Sequence, residues 1–192
     1  MGYPPLAVEN YGNNIIEVHQ DTDPMNPREW DNLGRMVIKY DGYLVNEGNI
    51  NFNNDIHNQD WTDFDSFIEY LKREKEAVVV LPLRIYDHSG LSLSVGIAGG
   101  WDSSQVGAIY VTEEDIIKEF GGQVPAINVE SILRNEVKLY DKYLQGDFYG
   151  YVIKAPKTCE SCHHTEEPIV DSCWGYGTVE EAMQAAKDII LV

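Results

Sequence analysis

The run Ala77-Val78-Val79-Val80-Leu81-Pro82-Leu83-Arg84-Ile85-Tyr86 constrains the fold most. It is mostly apolar and rich in β-branched residues, which predicts a strand near the middle of a sheet. The turn His88-Ser89-Gly90 follows. Leu91, Leu93, Val95 and Ile97 then alternate with Ser92, Ser94 and Gly96, the pattern of a half-buried strand. Together the two runs predict an antiparallel hairpin. Further strands are expected at Ile15–Gln20, Leu33–Tyr40, Gly107–Val111, Phe148–Lys154 and Ile169–Trp174, the second ending in the turn signal Asp41-Gly42. Residues 1–14, 21–32 and 46–60 are rich in Pro, Gly, Asn or Asp and read as irregular.

Helices punctuate these strands. Thr62 to Lys75 places Phe64, Phe67, Ile68 and Leu71 on one face, with Thr62 and Asp65 resembling a capping box. Thr112 and Asp115 cap a short helix that Gly121 ends. A longer helix begins at Asn128 and presents Leu133, Val137, Tyr140 and Leu144. Thr178 and Glu181 cap the last one. Hairpins without regular βα alternation indicate an α+β fold, a mainly antiparallel sheet of about six strands with three to four helices. One domain spanning 1–192 is expected, with a Cys/His loop at 157–166.

The charge narrows the partners. Asp and Glu number 32 against 14 Lys and Arg, for a formal net charge of -18. Such a field repels nucleic acid and anionic membrane and favours a basic protein surface. No apolar run is long enough for a transmembrane helix, and the first residues lack a signal-peptide pattern. Three cysteines are too few for a secreted disulfide framework, so a cytoplasmic setting is expected. Asp63, Asp65 and Glu69 on the first long helix, with Glu113, Glu114 and Glu119 on the short one, are the candidate partner-binding carboxylates. Acidic residues in first helical turns also favour the helix dipole, which accounts for some of them without a partner.

Three further segments invite chemistry. In Cys159-Glu160-Ser161-Cys162-His163-His164, two thiolates at C-x-x-C spacing can hold zinc, with Cys159, Cys162 and His164 as candidate ligands. The alternative is a polar loop tip with free thiols. In Gly99-Gly100-Trp101-Asp102-Ser103-Ser104-Gln105, Trp101 offers a stacking surface and Asp102 and Gln105 offer hydrogen bonds. With Tyr110 they form a candidate small-molecule or nucleotide site; the alternative is a structural turn. Tyr86-Asp87-His88-Ser89-Gly90 holds Asp, His and Ser side by side, but a catalytic triad is a spatial arrangement and not a sequence neighbourhood. On the hairpin alone, His88 and Asp102 should lie about 25 Å apart at strand rise. Cys173 reads as a buried packing residue.

Pro27-Arg28-Glu29-Trp30-Asp31-Asn32-Leu33-Gly34, Tyr86-Asp87-His88-Ser89-Gly90, Trp101-Asp102-Ser103-Ser104-Gln105-Val106-Gly107, Gly146-Asp147-Phe148-Tyr149-Gly150 and Asp171-Ser172-Cys173-Trp174-Gly175 occur in this order. In this the chain resembles a family of uncharacterised bacteriophage and mobile-element proteins, over about residues 15 to 177. That resemblance brings no catalytic residues. It implies host takeover or defence evasion, and it makes the Cys/His segment a local elaboration. The expected function is therefore a non-enzymatic binding protein with its acidic surface facing a basic host or defence protein, an inhibitor of a nucleic-acid-binding protein whose spaced carboxylates mimic the phosphates of DNA. A nucleotide-binding or processing domain built on the Trp101 loop is the alternative.

Overall fold

The computed structural model describes residues 4–41, 43–50, 64–88, 90–121 and 128–191. In chain order the elements are β1 (Ala7–Tyr11), β2 (Asn14–Gln20), a 3-10 turn (Pro27–Glu29), β3 (Arg35–Tyr40), β4 (Tyr43–Asn46) and α1 (Phe64–Glu74). Then come β5 (Ala77–Asp87), β6 (Leu91–Val95), β7 (Ser103–Thr112), α2 (Glu113–Phe120) and α3 (Val129–Gln145). Last are β8 (Tyr149–Lys154), β9 (Lys157–Thr158), β10 (Thr165–Glu166), β11 (Ile169–Tyr176) and α4 (Val179–Ile190). Every strand pairing among these elements is antiparallel, so the α+β reading with antiparallel sheets holds. The chain divides into two compact units, residues 1–26 with 146–192, and residues 27–145.

The first unit is a four-stranded sheet in the order β1-β2-β8-β11, with α4 on one face. Alternation along the strands sends Ile16, Tyr151 and Ile153 toward Ala186, with Tyr11, Tyr176, Met183 and Ile190 around them. Thr178 starts α4 by accepting the Glu181 backbone N–H. Two sequence expectations change here. Residues 7–11 are not irregular: they form a strand joined to β2 through Gly12-Asn13, with Gly12 at φ +59 as a two-residue hairpin turn requires. Cys173 is exposed, not buried, because β11 is an edge strand whose outer side nothing covers among the described residues.

The second unit carries the sheet β4-β3-β7-β5-β6. Strand β5 is paired on both sides, as its apolar run demands, and its hairpin with β6 forms as expected. Central strand β7 shows why the unit has two layers of helix. Its Ile109 and Val111 face Leu133, Val137 and Ile116, the apolar sides of α3 and α2. Its Ala108 and Tyr110 face Phe67 and Leu71 of α1. Period two in the strand thus meets period 3.6 in helices on opposite faces. Strand β4 falls just before the segment expected to be loop. Thr62, Asp63 and the rest of 51–63 lie outside the described residues, so the predicted Thr62 cap is not placed. For α2 the cap is complete: Thr112 and Asp115 bond each other's backbone N–H, and Gly121 closes the helix in the left-handed conformation.

Candidate functional site

The Trp101 loop does not assemble the site expected of it. Trp101 is fully exposed at the turn that enters β7, whereas Tyr110 is fully buried near the far end of that strand. Nine residues of strand rise separate them, about 30 Å. Gln105 is already committed to the fold. Its side-chain oxygen accepts the Ala98 N–H at 2.9 Å, and its amide donates to the Leu83 carbonyl at 2.7 Å. The carboxamide therefore pins the loop after β6 to β5.

The pairing of β5 with β7 corrects a second expectation. Tyr86 lies opposite Ser103, and the Asp87 N–H donates to the Asp102 carbonyl at 3.1 Å. The segment after β6 returns along the sheet, so Asp87 and Asp102 are neighbours and not strand-lengths apart. Tyr40 joins them, its hydroxyl donating to the Asp87 carboxylate at 2.9 Å. That bond raises the Tyr40 pKa above the ordinary 10.0. Tyr86 and His88 place their rings 6.2 Å apart. Two motifs distant in sequence thus share one end of the sheet. Ser89 lies outside the described residues.

The candidate carboxylates fall into two groups. Asp65 and Glu69 are exposed on α1, while Glu113, Glu114 and Glu119 are exposed on α2. Because α1 and α2 cover opposite faces of the sheet, these groups do not make one continuous acidic surface. Asp63 is outside the described residues. Asp115 belongs to the fold: it closes the cap and bonds Arg35 at 2.6 Å. Burial pushes its pKa up, but the bonds to Arg35 and Thr112 outweigh that and hold it below the ordinary 3.8.

Cys159, Cys162 and His164 occupy the exposed tip of the β9–β10 hairpin. Among the described residues, no group of three or more His, Cys, Asp or Glu is gathered here that could hold a metal. The tip runs through a tight turn in which His164 gives its backbone carbonyl, at 2.8 Å, to the Cys159 N–H. The Cys159 thiol itself is unusual. The Ser161 hydroxyl, the Cys162 backbone N–H and thiol, and the Ser161 backbone N–H hold it at about 6, below the ordinary 9.0.

A concave site lies elsewhere in the second unit, and the sequence reading missed most of it. A cavity of about 430 Å³ is lined by Trp30, Asp31, Asn32, Leu33, Glu119, Phe120, Ile132, Asn135, Glu136 and Leu139. Of these, Glu119 is a candidate partner-binding carboxylate and Trp30 to Leu33 belong to the Pro27–Gly34 motif, which carries no site assignment. The aromatic and aliphatic groups come from the segment after the 3-10 turn, the end of α2 and one side of α3. Trp30 is held at the mouth because Asn32 donates to the carbonyls of Pro27 and Trp30, folding the chain back on itself.

Behind the cavity is a nearly buried ion network. Arg28 makes a bidentate contact with Glu47, at 2.8 and 2.6 Å, and a third bond to Glu136 at 3.0 Å. It also donates to Asn32 and to the Gly34 carbonyl. Burial works against the Arg28 charge, but the two carboxylates outweigh it and raise its pKa further. Glu136 in turn accepts the backbone N–H groups of Leu33 and Gly34, and Glu47 accepts that of Met36. Gly34 packs closely: a Cβ there would stand 2.5 Å from Leu133 Cδ2 and 2.8 Å from Ile109 Cδ1, so those buried side chains would have to shift. One guanidinium thus ties the segment 27–36 to α3 and to the chain after β4. No spacing rule links Arg28 to Glu47 and Glu136; only the fold brings them together.

No family model matches the chain, and neither a curated protein nor a solved structure matches it.

Proposed function

We propose that the protein is a binding protein that captures a basic segment of a partner in the cavity at Trp30. The single observation behind this reading is the cavity's composition. Trp30, Leu33, Phe120, Ile132 and Leu139 supply an apolar surface, and Asp31 and Glu119 stand exposed beside it. Glu136 is paired with Arg28, so the carboxylates left facing a ligand are those at the edge. An apolar or aromatic anchor flanked by Lys or Arg complements such a site: burial supplies affinity, and the charges supply orientation and a fast, salt-sensitive approach. The chain's net charge of -18 steers in the same direction. The resemblance to bacteriophage and mobile-element proteins motivates a host or defence protein as the partner.

Peptide titration tests the proposal. Peptides with an aromatic residue between Lys or Arg residues should bind more tightly than acidic or anchor-free controls. Trp30→Ala and Glu119→Gln should each weaken binding, and added salt should weaken it in the wild type. Equal binding of acidic and basic peptides would count against the proposal. The nucleotide-binding alternative loses Tyr110 to the core and Gln105 to its own loop, and retains only Trp101 and Asp102 at the surface.

A further inference from the structure

We propose that the β9–β10 tip is half of a zinc site, completed by the same tip of a second copy of this chain. The backbone of the tip has the form a pair of metal-binding thiolates needs. The Cys159 N–H donates to the His164 carbonyl and the His163 N–H donates to the Cys159 carbonyl, at 2.8 and 2.9 Å. His163 takes the left-handed conformation, φ +56, immediately after Cys162. The Cys159 sulfur meets the Ser161 hydroxyl at 3.2 Å, and the Cys162 thiol and the backbone N–H groups of Ser161 and Cys162 turn toward it as well. Such a turn puts both sulfurs of a C-x-x-C segment on one side and supports a thiolate by backbone donors, which is what a metal ligand requires.

One chain supplies only this pair. Structural zinc is four-coordinate and tetrahedral, and no third His, Cys, Asp or Glu side chain among the described residues joins the two cysteines. An identical tip supplies the remaining two sulfurs and closes the site with two-fold symmetry. Four thiols each release a proton as four Zn–S bonds form.

The geometry of the arm makes this approach feasible. Strands β8 and β11 pair up to Lys154 and Ile169, Ala155 donates to the Pro168 carbonyl, and Lys157 and Thr158 pair with Glu166 and Thr165. Residues 156–170 are exposed along their whole length. From Lys154 to the tip is about six residues, about 20 Å at strand rise. Charges on the two sheets that carry the tips, about 20 Å back along each arm, lie beyond the Debye length of about 8 Å and are largely screened. A redox role is less suited to this pair, since thiols of that kind draw their reactivity from a helix N-terminus and these lie on a hairpin.

The experiment uses the full chain, purified with a phosphine reductant and loaded with zinc. Metal content and mass by sedimentation equilibrium should give one zinc per two chains, and a dimer that a chelator returns to monomer. Cys159→Ser and Cys162→Ser should abolish both metal and dimer with an unchanged circular dichroism spectrum, whereas Cys173→Ser should keep both. A zinc-loaded chain that stays monomeric overturns the proposal, as does a dimer that survives chelation or the loss of Cys159.

Discussion

Replacing Arg28 by Met removes a charge that two carboxylates depend on. The Arg28 side chain is 4% exposed, Glu136 12% and Glu47 26%. Among the hydrogen bonds lost are those to Glu47 twice, Glu136, Asn32 and the Gly34 carbonyl. Breaking a buried pair from one side costs about 3–5 kcal/mol, because the remaining charge is left without compensation. Here each carboxylate retains backbone donors, Leu33 and Gly34 for Glu136 and Met36 for Glu47. Glu47 also retains some water. The lower end of the range follows, about 3 kcal/mol. For a chain of this length that lowers the melting temperature by about 6–12 °C, read by circular dichroism or calorimetry. A second measurement separates charge from shape. Adding Glu47→Gln and Glu136→Gln to Arg28→Met removes the stranded charges while the carboxamide oxygens still accept the same N–H groups. About half of the lost stability should return. A single variant that loses under about 1 kcal/mol, or a triple variant no better than the single, would refute the view that these charges are effectively buried.

Other outcomes follow from single contacts. Gly34→Ala should cost about 1–3 kcal/mol by overpacking against Leu133 and Ile109, measured by urea denaturation. Tyr110→Phe should be neutral or stabilising in the same assay. Among the described residues its buried hydroxyl has no hydrogen bond of good geometry, although the Arg35 guanidinium lies near enough to influence it. Asp115→Asn should flatten the acid limb of the stability curve. The folded pKa of Asp115 is depressed, so its contribution is present above the unfolded value near 3.8 and is lost as pH falls through the folded value. Wild type and variant should therefore converge in strong acid.

The residues show where sequence patterns carried information. The apolar β5 run and the alternating β6 run each encode one surface of a single strand, and period two is readable locally. The caps of α2 and α4 are equally local, since Thr and its acidic or amide partner lie within one turn. Long-range pairing is not local. Asp87 meets Asp102 only because β7 returns beside β5, so a distance measured along the hairpin alone misled. Arg28 stands in a Pro-rich turn, and nothing nearby in sequence announces Glu47 or Glu136. The cavity escaped notice for the same reason: its walls come from three separated segments. Cys173 was misjudged because an apolar, cysteine-containing strand gives no sign of lying at a sheet edge.

Paired affinity capture shows whether a basic partner is held at the Trp30 cavity. Wild type and the double variant Trp30→Ala/Glu119→Gln would be used as bait in the same bacterial lysate, with quantitative mass spectrometry of what each retains. A basic protein should be enriched on the wild type, released by added salt and lost from the double variant. Recovery of the same proteins by both baits, or enrichment of an acidic protein alone, would contradict it.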